Sequence, residues 1–391
     1  MRPAGPAIHK THRRRGRPQF ERIALLLQGG GALGSYQAGV YQALAEADLC
    51  PDWIAGISIG AINAALIAGN PAEKRVDRLR EFWETVSKSP LGLPSHFGFE
   101  IKNEYSHRII NQLQSIGALL GGAPGFFTPR LPSPLIFPPE SIETLSHYDV
   151  SPLKATLLRL VDFDLINSGE MHLSVGAVNV STGNFVYFDN DRSDITPSHV
   201  MASGSLPPGF PATEIEGQYY WDGGLVSNTP LQWVLDSEPR KDTLAFQIDL
   251  WSARGEIPRN LLELEMRQKE IRYSSRTRAA TDQFKKLQKM RRAAAKLLER
   301  IPGELRQTPE AELLASAADD KVYNIVHLIY RSRKYEGASK DFEFSRMTME
   351  EHWKAGYNDC VRTLRHPEVL ERPDDGHDGV MTFDLARDSR E

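Results

Sequence analysis

Short apolar runs alternate with longer amphipathic stretches along the first part of the chain. Residues 22–28 form an apolar run that ends in glycine and predicts a strand, and residues 35–47 carry apolar side chains at helical spacing. Residues 53–57 predict a second strand, and residues 61–68 and 72–88 predict two further helices. Strands that alternate with helices in this way are typical of a layered α/β fold.

Residues 90–140 interrupt this pattern with many glycines, prolines and large apolar residues. Such a segment is too apolar for a free linker and too broken for regular structure. We therefore expect a long, lid-like insertion that covers a substrate or packs on the core. Beyond it the pattern predicts a helix at 152–161, a hairpin of 172–179 with 184–189, and a loop-rich segment at 202–230.

The last third of the chain predicts strands at 243–250 and 321–331 and a closing helix at 347–364. Between the strands, residues 261–300 hold twelve lysines and arginines against five acidic residues, with apolar residues at helical spacing. We interpret this segment as a helix that packs one face on the core and leaves a basic face in solvent. The tail after residue 372 is polar, and its composition predicts disorder.

These boundaries divide the chain into four parts. A basic, disordered tail at 1–20 precedes the main domain at 21–260, which contains the insertion at 90–140. A helix-rich extension at 261–372 is expected to pack on that domain, and residues 373–391 are expected to be disordered.

Composition narrows the class of protein. Hydrophobic residues make up 40% and charged residues 25% of the 391 positions, which is typical of a globular chain. The formal net charge of −4 gives no reason to expect a nucleic-acid partner. Only two cysteines, Cys50 and Cys360, are present, which excludes a disulfide framework and favours a cytoplasmic location. No apolar run reaches the ~18 residues that span a membrane, but the arginines at 13–17 leave peripheral contact with a membrane or lipid surface open.

Three consecutive glycines, Gly29, Gly30 and Gly31, follow the first predicted strand. Together with Gly34 they satisfy the G-x-G-x-x-G pattern that cradles a dinucleotide pyrophosphate. The backbone N–H groups of such a turn can equally face the oxyanion of an acyl-transfer reaction. The dinucleotide pattern also requires an acidic residue at the end of the second strand. There this chain has Ser58, which disfavours a nucleotide-binding protein.

The sequence Gly56-Ile57-Ser58-Ile59-Gly60 lies between a predicted strand and a predicted helix. This is the context of a G-x-S-x-G nucleophile elbow, in which the serine occupies a sharp, strained turn. The residues two before and two after the serine must be small to avoid a clash. The helix that follows directs its N-terminus at Ser58 and favours negative charge there. Ser58 is therefore the candidate nucleophile.

A serine hydroxyl needs a general base to act as a nucleophile. Asp222 ends an extended segment and is followed at once by Gly223 and Gly224, so a tight turn would hold its carboxylate in place. Alone, this motif would indicate an ordinary hairpin turn. His327 formally fits the Ser, Asp, His order of α/β-hydrolases, but we interpret it as a structural residue. The other histidines considered have no motif context and are interpreted as surface or hydrogen-bonded residues: His147, His172, His199 and His352.

The glycine turn, the elbow and the aspartate motif, in this order, resemble the patatin-like phospholipase family. Residues 202–211 are similar to the proline-bearing block that precedes the aspartate in that family, and the resemblance covers about residues 21–250. The region beyond looks like the C-terminal extension of a bacterial subset. The resemblance implies a three-layer α/β/α fold with a mainly parallel sheet. It also implies a Ser58–Asp222 dyad without a histidine, and an oxyanion hole formed by the backbone of residues 29–31.

One position departs from the family pattern. Many members carry lysine or arginine where this chain has Leu33, so recognition of a phosphate headgroup is less well supported than ester cleavage. We expect a serine acyl hydrolase of phospholipase A or lysophospholipase type that forms an acyl-enzyme. No cluster with metal-ligand spacing occurs, so no metal and no cofactor are expected. Three alternatives stay open: a hydrolase of neutral acyl esters, thioesters or a storage polyester, a nucleotide-binding oxidoreductase, and a non-catalytic scaffold at a membrane or granule. The sequence leaves the oligomeric state open.

Overall fold

The computed structural model describes residues 9–13, 16–88, 104–132, 141–274, 277–333, 336–337, 339–374 and 379–385. In chain order the strands are β1 (Arg22–Leu27), β2 (Trp53–Ile57), β3 (Thr128–Pro129), β4 (Tyr148–Asp149), β5 (His172–Asn179), β6 (Phe185–Asp189), β7 (Thr213–Ile215), β8 (Gln218–Asp222), β9 (Thr243–Asp249), β10 (Tyr323–Ile329) and β11 (Val380–Phe383).

The α-helices are α1 (Ser35–Glu46), α2 (Ile59–Ala68), α3 (Arg75–Val86), α4 (Glu104–Gly121), α5 (Ser151–Leu160), α6 (Phe163–Asn167), α7 (Pro197–Ser203), α8 (Leu231–Leu235), α9 (Leu261–Tyr273), α10 (Thr277–Arg300), α11 (Pro309–Ala317) and α12 (Arg346–Leu364). None of these helices combines the length and apolarity that a transmembrane segment needs.

Nine of the described strands form one sheet in the order β11-β10-β9-β1-β2-β5-β8-β7, and β6 also pairs with β5. The strands from β11 to β5 run parallel to one another, whereas β6, β7 and β8 pair antiparallel with their neighbours. Because β1 occupies the middle of the parallel part and β2 lies beside it, both strands end at the same edge of the sheet. The glycine turn and the elbow therefore emerge next to each other.

Helices cover both faces of the sheet. In β1, Ile23, Leu25 and Leu27 belong to one apolar core, and Ala24 and Leu26 belong to another, since successive side chains of a strand point to opposite faces. The first core includes side chains from α1, α2 and α12, and the second includes side chains from α8 and α10. The predicted three-layer α/β/α fold with a mainly parallel sheet is confirmed.

Helix α12 packs closely on α1 through two glycines. A Cβ atom on Gly39 would lie 1.9 Å from the Trp353 carbonyl oxygen, and one on Gly356 would lie 2.0 Å from the Tyr36 carbonyl oxygen. Strand β10 pairs with β9, and β11 pairs with β10. The C-terminal region thus contributes two strands to the central sheet in addition to helices.

Most predicted regular elements are confirmed, but several irregular segments differ. Within the insertion at 90–140, the glycines and prolines lie mainly toward the ends. The uninterrupted centre forms α4, where regular structure was not expected. Residues 89–103 and 133–140 of that insertion lie outside the described residues. The segment at 202–230 contains the β7–β8 hairpin, whose turn residues Glu216 and Gly217 both adopt positive φ values of 51° and 75°.

The two predicted tails also differ from the structure where it describes them. Strand β11 lies within residues 373–391, so the prediction of disorder is wrong for Val380–Phe383, which pair with the open edge of β10. At the other end, Phe20 is buried in the core and Arg17 forms an ion pair with Asp52. Other parts of both tails lie outside the described residues.

Candidate active site

Strand β5 brings the elbow and the aspartate together. Ile57, the last residue of β2, pairs with Gly176, and Asp222, the last residue of β8, pairs with the next residue, Ala177. Strand β6 pairs with β5 at residues 174–178 and so occupies one edge of β5. Strands β2 and β8 therefore both pair with the other edge of β5, where the end of β2 meets the end of β8. Ser58 follows Ile57 directly and therefore lies beside Asp222.

The backbone at Ser58 has the strained conformation that the elbow predicts. Its φ is 56° and its ψ is −125°, in a region that residues other than glycine rarely adopt. A Cβ atom on Gly56 would lie 2.3 Å from the Gly60 carbonyl oxygen, and one on Gly60 would lie 2.3 Å from the Leu27 carbonyl oxygen. Both flanking positions therefore require glycine, and Ser58 occupies the N-cap position of α2 without a side-chain capping hydrogen bond.

A second serine, Ser203 at the end of α7, holds the elbow in place. Its buried hydroxyl accepts a hydrogen bond from the Ser58 backbone N–H at 2.8 Å and donates one to the Gly176 carbonyl at 2.6 Å. The Ser58 N–H is thus already paired and does not face an empty space. Sequence reasoning missed Ser203, although it lies in the block at 202–211 that carries the family resemblance.

Asp222 is buried, with only 2% of the residue exposed. Burial raises the pKa of Asp222 to about 6, and hydrogen bonds from the Ser58 side chain and the Gly224 backbone N–H act in the opposite direction. The Gly224 N–H lies 2.7 Å from one carboxylate oxygen. Gly223 is required next to it, because a Cβ atom there would lie 2.7 Å from the Gly176 carbonyl oxygen. At neutral pH the carboxylate is ionised and hydrogen-bonded to the candidate nucleophile.

The three predicted oxyanion residues are not equivalent. The Gly29 N–H donates to the Asn228 carbonyl at 3.4 Å, whereas the N–H groups of Gly30 and Gly31 find no acceptor among the described residues. The buried Asn228 amide donates in turn to the Gly29 carbonyl at 3.0 Å. Asn228, which the sequence analysis did not single out, therefore joins the glycine turn to the loop that follows Asp222.

Two residues at the glycine turn are buried for different reasons. Gln28 accepts hydrogen bonds from the Leu250 and Trp251 backbone N–H groups at 2.6 and 2.9 Å, which ties the turn to the end of β9. A glutamine at the end of an otherwise apolar strand was the available signal for this role. Leu33 is completely buried in the core, so this position presents neither a cation nor any other side chain to a ligand.

In the described part of the chain, no histidine hydrogen-bonds to Ser58 or Asp222. His172 pairs with Asp189 at 2.7 Å and stacks on Trp53, and His199 caps α7, as expected for hydrogen-bonded residues. His327 and His352 are buried on β10 and α12.

Folding brings His172, Asp189 and Asp191 together, with ligand atoms within 4.8 Å of one another. The Asp189 oxygens already accept hydrogen bonds from His172, the Ser174 hydroxyl and the Asp191 backbone N–H. These contacts account for the cluster, which lies at the amino end of β5, away from Ser58.

Two of the cavities on the described surface lie near helix α9. The larger, of about 1170 Å³, lies beyond the carboxyl ends of β9, β10 and β11, and Trp251 lines it. The smaller, of about 310 Å³, lies between α4 and α9 and is lined by Met266, Lys269 and Phe342 among others. Neither cavity has Ser58 or Asp222 among its described lining residues.

The order of the motifs along the α/β/α fold agrees with the comparison with known families. The family model described as patatin-like phospholipase matches residues 25–235, and a second, described as patatin phospholipase, matches residues 271–376. The first match covers more than half of the chain, so the chain belongs to the patatin-like phospholipase family.

Individual relatives match over short segments. A patatin-like phospholipase domain-containing protein of Caenorhabditis elegans is 31% identical over 104 residues, which cover 23% of this chain and 8% of that protein. A protein of the same description from Pyricularia oryzae is 47% identical over 55 residues, covering 14% of this chain and 7% of that protein. The chain therefore matches less than a tenth of the length of either relative.

Among solved structures, VipD from Legionella pneumophila is 14% identical, with a TM-score of 0.40 over 96% of this chain and 77% of that chain. The type III effector protein ExoU is also 14% identical, with a TM-score of 0.32 over 90% of this chain and 54% of that chain.

Proposed function

We propose that this protein is a serine acyl hydrolase that cleaves carboxylic esters of lipids through a Ser58–Asp222 dyad. The observation that carries the proposal is the end-to-end meeting of β2 and β8 on β5, which sets the Ser58 hydroxyl beside a buried, hydrogen-bonded carboxylate. Membership of the patatin-like phospholipase family supports a lipid ester as the substrate.

In the first half-reaction the Asp222 carboxylate takes the proton of the Ser58 hydroxyl while the oxygen attacks the ester carbonyl. The N-terminus of α2 and the unpaired N–H groups of Gly30 and Gly31 stabilise the negative oxygen that forms. Asp222 then gives its proton to the departing alcohol, which leaves an acyl group on Ser58.

In the second half-reaction Asp222 takes a proton from water, which attacks the acyl-enzyme. Asp222 then returns the proton to the Ser58 oxygen as the bond to the acyl group breaks and the fatty acid is released. A single carboxylate thus serves as base and acid in both halves. Burial favours this role, because a pKa of about 6 makes Asp222 a stronger base than an ordinary aspartate while leaving it ionised at pH 7. Removing one oxyanion donor typically costs about 3 kcal/mol of transition-state stabilisation.

We infer a phospholipid or lysophospholipid acyl ester as the substrate. Support for this substrate comes from the family. Because Leu33 is buried and apolar, no lysine or arginine at this position binds a phosphate headgroup, so we infer that the enzyme selects its substrate by the acyl ester. The competing substrates are neutral esters, thioesters and polyesters.

The proposal is tested by a hydrolysis panel of p-nitrophenyl butyrate, phosphatidylcholine, lysophosphatidylcholine and polyester granules. Ser58→Ala and Asp222→Asn are expected to lose activity by at least a thousandfold, since dyad members act as a unit. The control is Ser181→Ala, which removes an exposed hydroxyl in the β5–β6 turn and leaves activity unchanged. Mass spectrometry after fluorophosphonate treatment should place the label on Ser58.

Full activity in Ser58→Ala would refute the dyad. Hydrolysis of polyester or neutral esters without hydrolysis of either phospholipid would refute the substrate assignment alone. Tight NADH binding without any fluorophosphonate labelling would favour the oxidoreductase alternative.

A further inference from the structure

The glycine turn makes a close backbone contact with the C-terminal part of the chain. The Ala32 N–H donates to the Asp341 carbonyl at 2.8 Å. A Cβ atom on Gly31, whose φ is +56°, would lie only 2.1 Å from the same oxygen. The Asp341 carbonyl is therefore in close contact with the two peptides that flank Gly31 and limits their movement toward it. The unpaired Gly31 N–H belongs to the first of these two peptides, and the unpaired Gly30 N–H belongs to the peptide that directly precedes it.

Residues 339–342 form a compact turn, the 339–342 turn, in which the Phe342 N–H donates to the Ser339 carbonyl at 3.0 Å. A lysine on α9 holds this turn from outside. The Lys269 ammonium lies 2.9 and 3.1 Å from the two Asp341 carboxylate oxygens and 5.0 Å from the centre of the Phe342 ring. The ion pair thus joins the 339–342 turn to α9 at Asp341, the residue whose carbonyl meets the glycine turn.

The neighbouring Lys340 fixes the other side of the same turn. Its ammonium is buried, lies 2.9 Å from a Glu270 carboxylate oxygen on α9, and sits 5.0 Å from the centre of the Trp251 ring. The Trp251 indole N–H donates to the Gly29 carbonyl at 3.0 Å. Contacts from α9 and the 339–342 turn therefore reach the glycine turn at both of its ends.

We propose that Lys269 and Asp341 are positioning residues for the oxyanion hole, an inference that rests on the proposed function above. Neither contacts Ser58 or Asp222 in the described contacts, so neither is assigned a chemical step. Their ion pair presses the Asp341 carbonyl against Gly31 and keeps the Gly30 and Gly31 N–H groups directed at the forming oxyanion. The C-terminal region thereby completes the active site of the patatin-like domain.

This role predicts a particular kinetic signature. Interactions made only in the transition state lower kcat and kcat/KM together when they are lost, and leave KM unchanged. A displaced donor costs less than a deleted one, so Lys269→Met and Asp341→Asn are each expected to lower kcat about tenfold. The double variant is expected to match either single variant, because the two changes break the same link.

The chain offers a matched control at the amino ends of the parallel strands, whereas the glycine turn lies at their carboxyl ends. Lys321, next to the start of β10, forms an ion pair with Glu21 at the same 2.9 Å distance and has a similar exposure to Lys269, 30% against 33%. Lys321→Met therefore removes a comparable ion pair away from the glycine turn. We expect it to leave kcat unchanged while lowering the thermal midpoint as much as Lys269→Met does.

The experiment measures kcat and KM of the full chain on p-nitrophenyl butyrate, the rate of fluorophosphonate labelling of Ser58, and the thermal midpoint of each variant. The proposal is overturned if Lys269→Met and Asp341→Asn keep the wild-type kcat, or if only KM changes. Both side chains are partly exposed, and Asp341→Asn keeps the shape of the residue, so it provides the test if Lys269→Met fails to fold. Equal ester hydrolysis by wild type and Ser58→Ala would instead refute the proposed function itself.

Discussion

Asp222 combines two demands that oppose each other. As the proposed base it must be ionised, yet Asp222 is only 2% exposed and burial disfavours its charge. The hydrogen bonds from Ser58 and Gly224 offset part of that cost. The result is a carboxylate whose pKa of about 6 lies close to neutrality, where a general base works best.

The activity should therefore rise with pH through the pKa of Asp222. Protonated Asp222 cannot accept the Ser58 proton, so kcat/KM on a soluble ester is expected to increase from pH 5 to pH 7 with an apparent pKa of about 6. The measurement is a pH profile of kcat/KM in buffers of constant ionic strength. An acid limb near pH 4 would indicate an unperturbed carboxylate and contradict the role of burial.

Asp222→Asn provides the control for that profile, because it should be inactive at every pH yet more stable. The pKa of Asp222 is higher in the folded chain, about 6, than the ~3.9 of an unfolded aspartate, so the free energy of unfolding falls as pH rises between these values. At pH 8 the wild-type carboxylate is fully ionised in both states, and Asp222→Asn should therefore raise the free energy of unfolding by about 2–3 kcal/mol. Denaturant titrations of both proteins measure this difference.

At the scale of elements, the elbow is a contact between backbones rather than between side chains. Strand β1, the turn at Ser58 and the first turn of α2 approach so closely that Gly56 and Gly60 leave no room for a Cβ atom. The α1–α12 contact at Gly39 follows the same principle. Glycine at such places lets two backbone segments approach closely, but it loses more conformational entropy on folding than other residues do.

Gly60→Ala is expected to lower the free energy of unfolding by about 2–4 kcal/mol, since its Cβ would lie 2.3 Å from the Leu27 carbonyl oxygen. The matched control is Gly117→Ala in α4, where nothing lies within 4 Å of the added atom. Helix propensity predicts that the control gains about 0.5–1 kcal/mol. Denaturation midpoints of the two variants check the pair, and equal midpoints would show that the elbow tolerates a side chain.

At the scale of the whole molecule, the domain boundary that the sequence predicts at residue 260 does not separate independent layers. Strands β10 and β11 extend the sheet beside β9, and α12 covers α1. The two family matches at 25–235 and 271–376 are therefore adjacent in sequence but share one sheet and one core.

A fragment ending at residue 260 is expected to lack a cooperative unfolding transition. It would leave the edge of β9 unpaired and the face of α1 around Gly39 uncovered, and both changes expose apolar surface and backbone groups. A fragment ending at residue 385 keeps all the described strands and serves as the control. Circular dichroism melts compare the two, and a sigmoidal melt with esterase activity in the shorter fragment would contradict this view.

The local motifs were readable from the sequence because their causes are local. Gly56 and Gly60 avoid steric clashes that arise within the five residues of the elbow itself. The strand before the elbow and the helix after it are predicted by their apolar periodicity. Ser58 and Asp222 were singled out in this way, with the help of the family resemblance. Their meeting on β5 is consistent with the predicted dyad, whose catalytic role stays a prediction.

The sequence by itself determined the α/β class and most of the regular elements, because short-range sterics and hydrophobic periodicity specify them. The candidate dyad came from the sequence through the resemblance of its motifs to a known family. Only the tertiary structure decided which residues hold the site. Asn228 contacts Gly29, Ser203 contacts Ser58, and Asp341 contacts Ala32 across separations of more than a hundred residues. Such contacts depend on where strands and helices come to lie, so no spacing or periodicity in the chain predicts them.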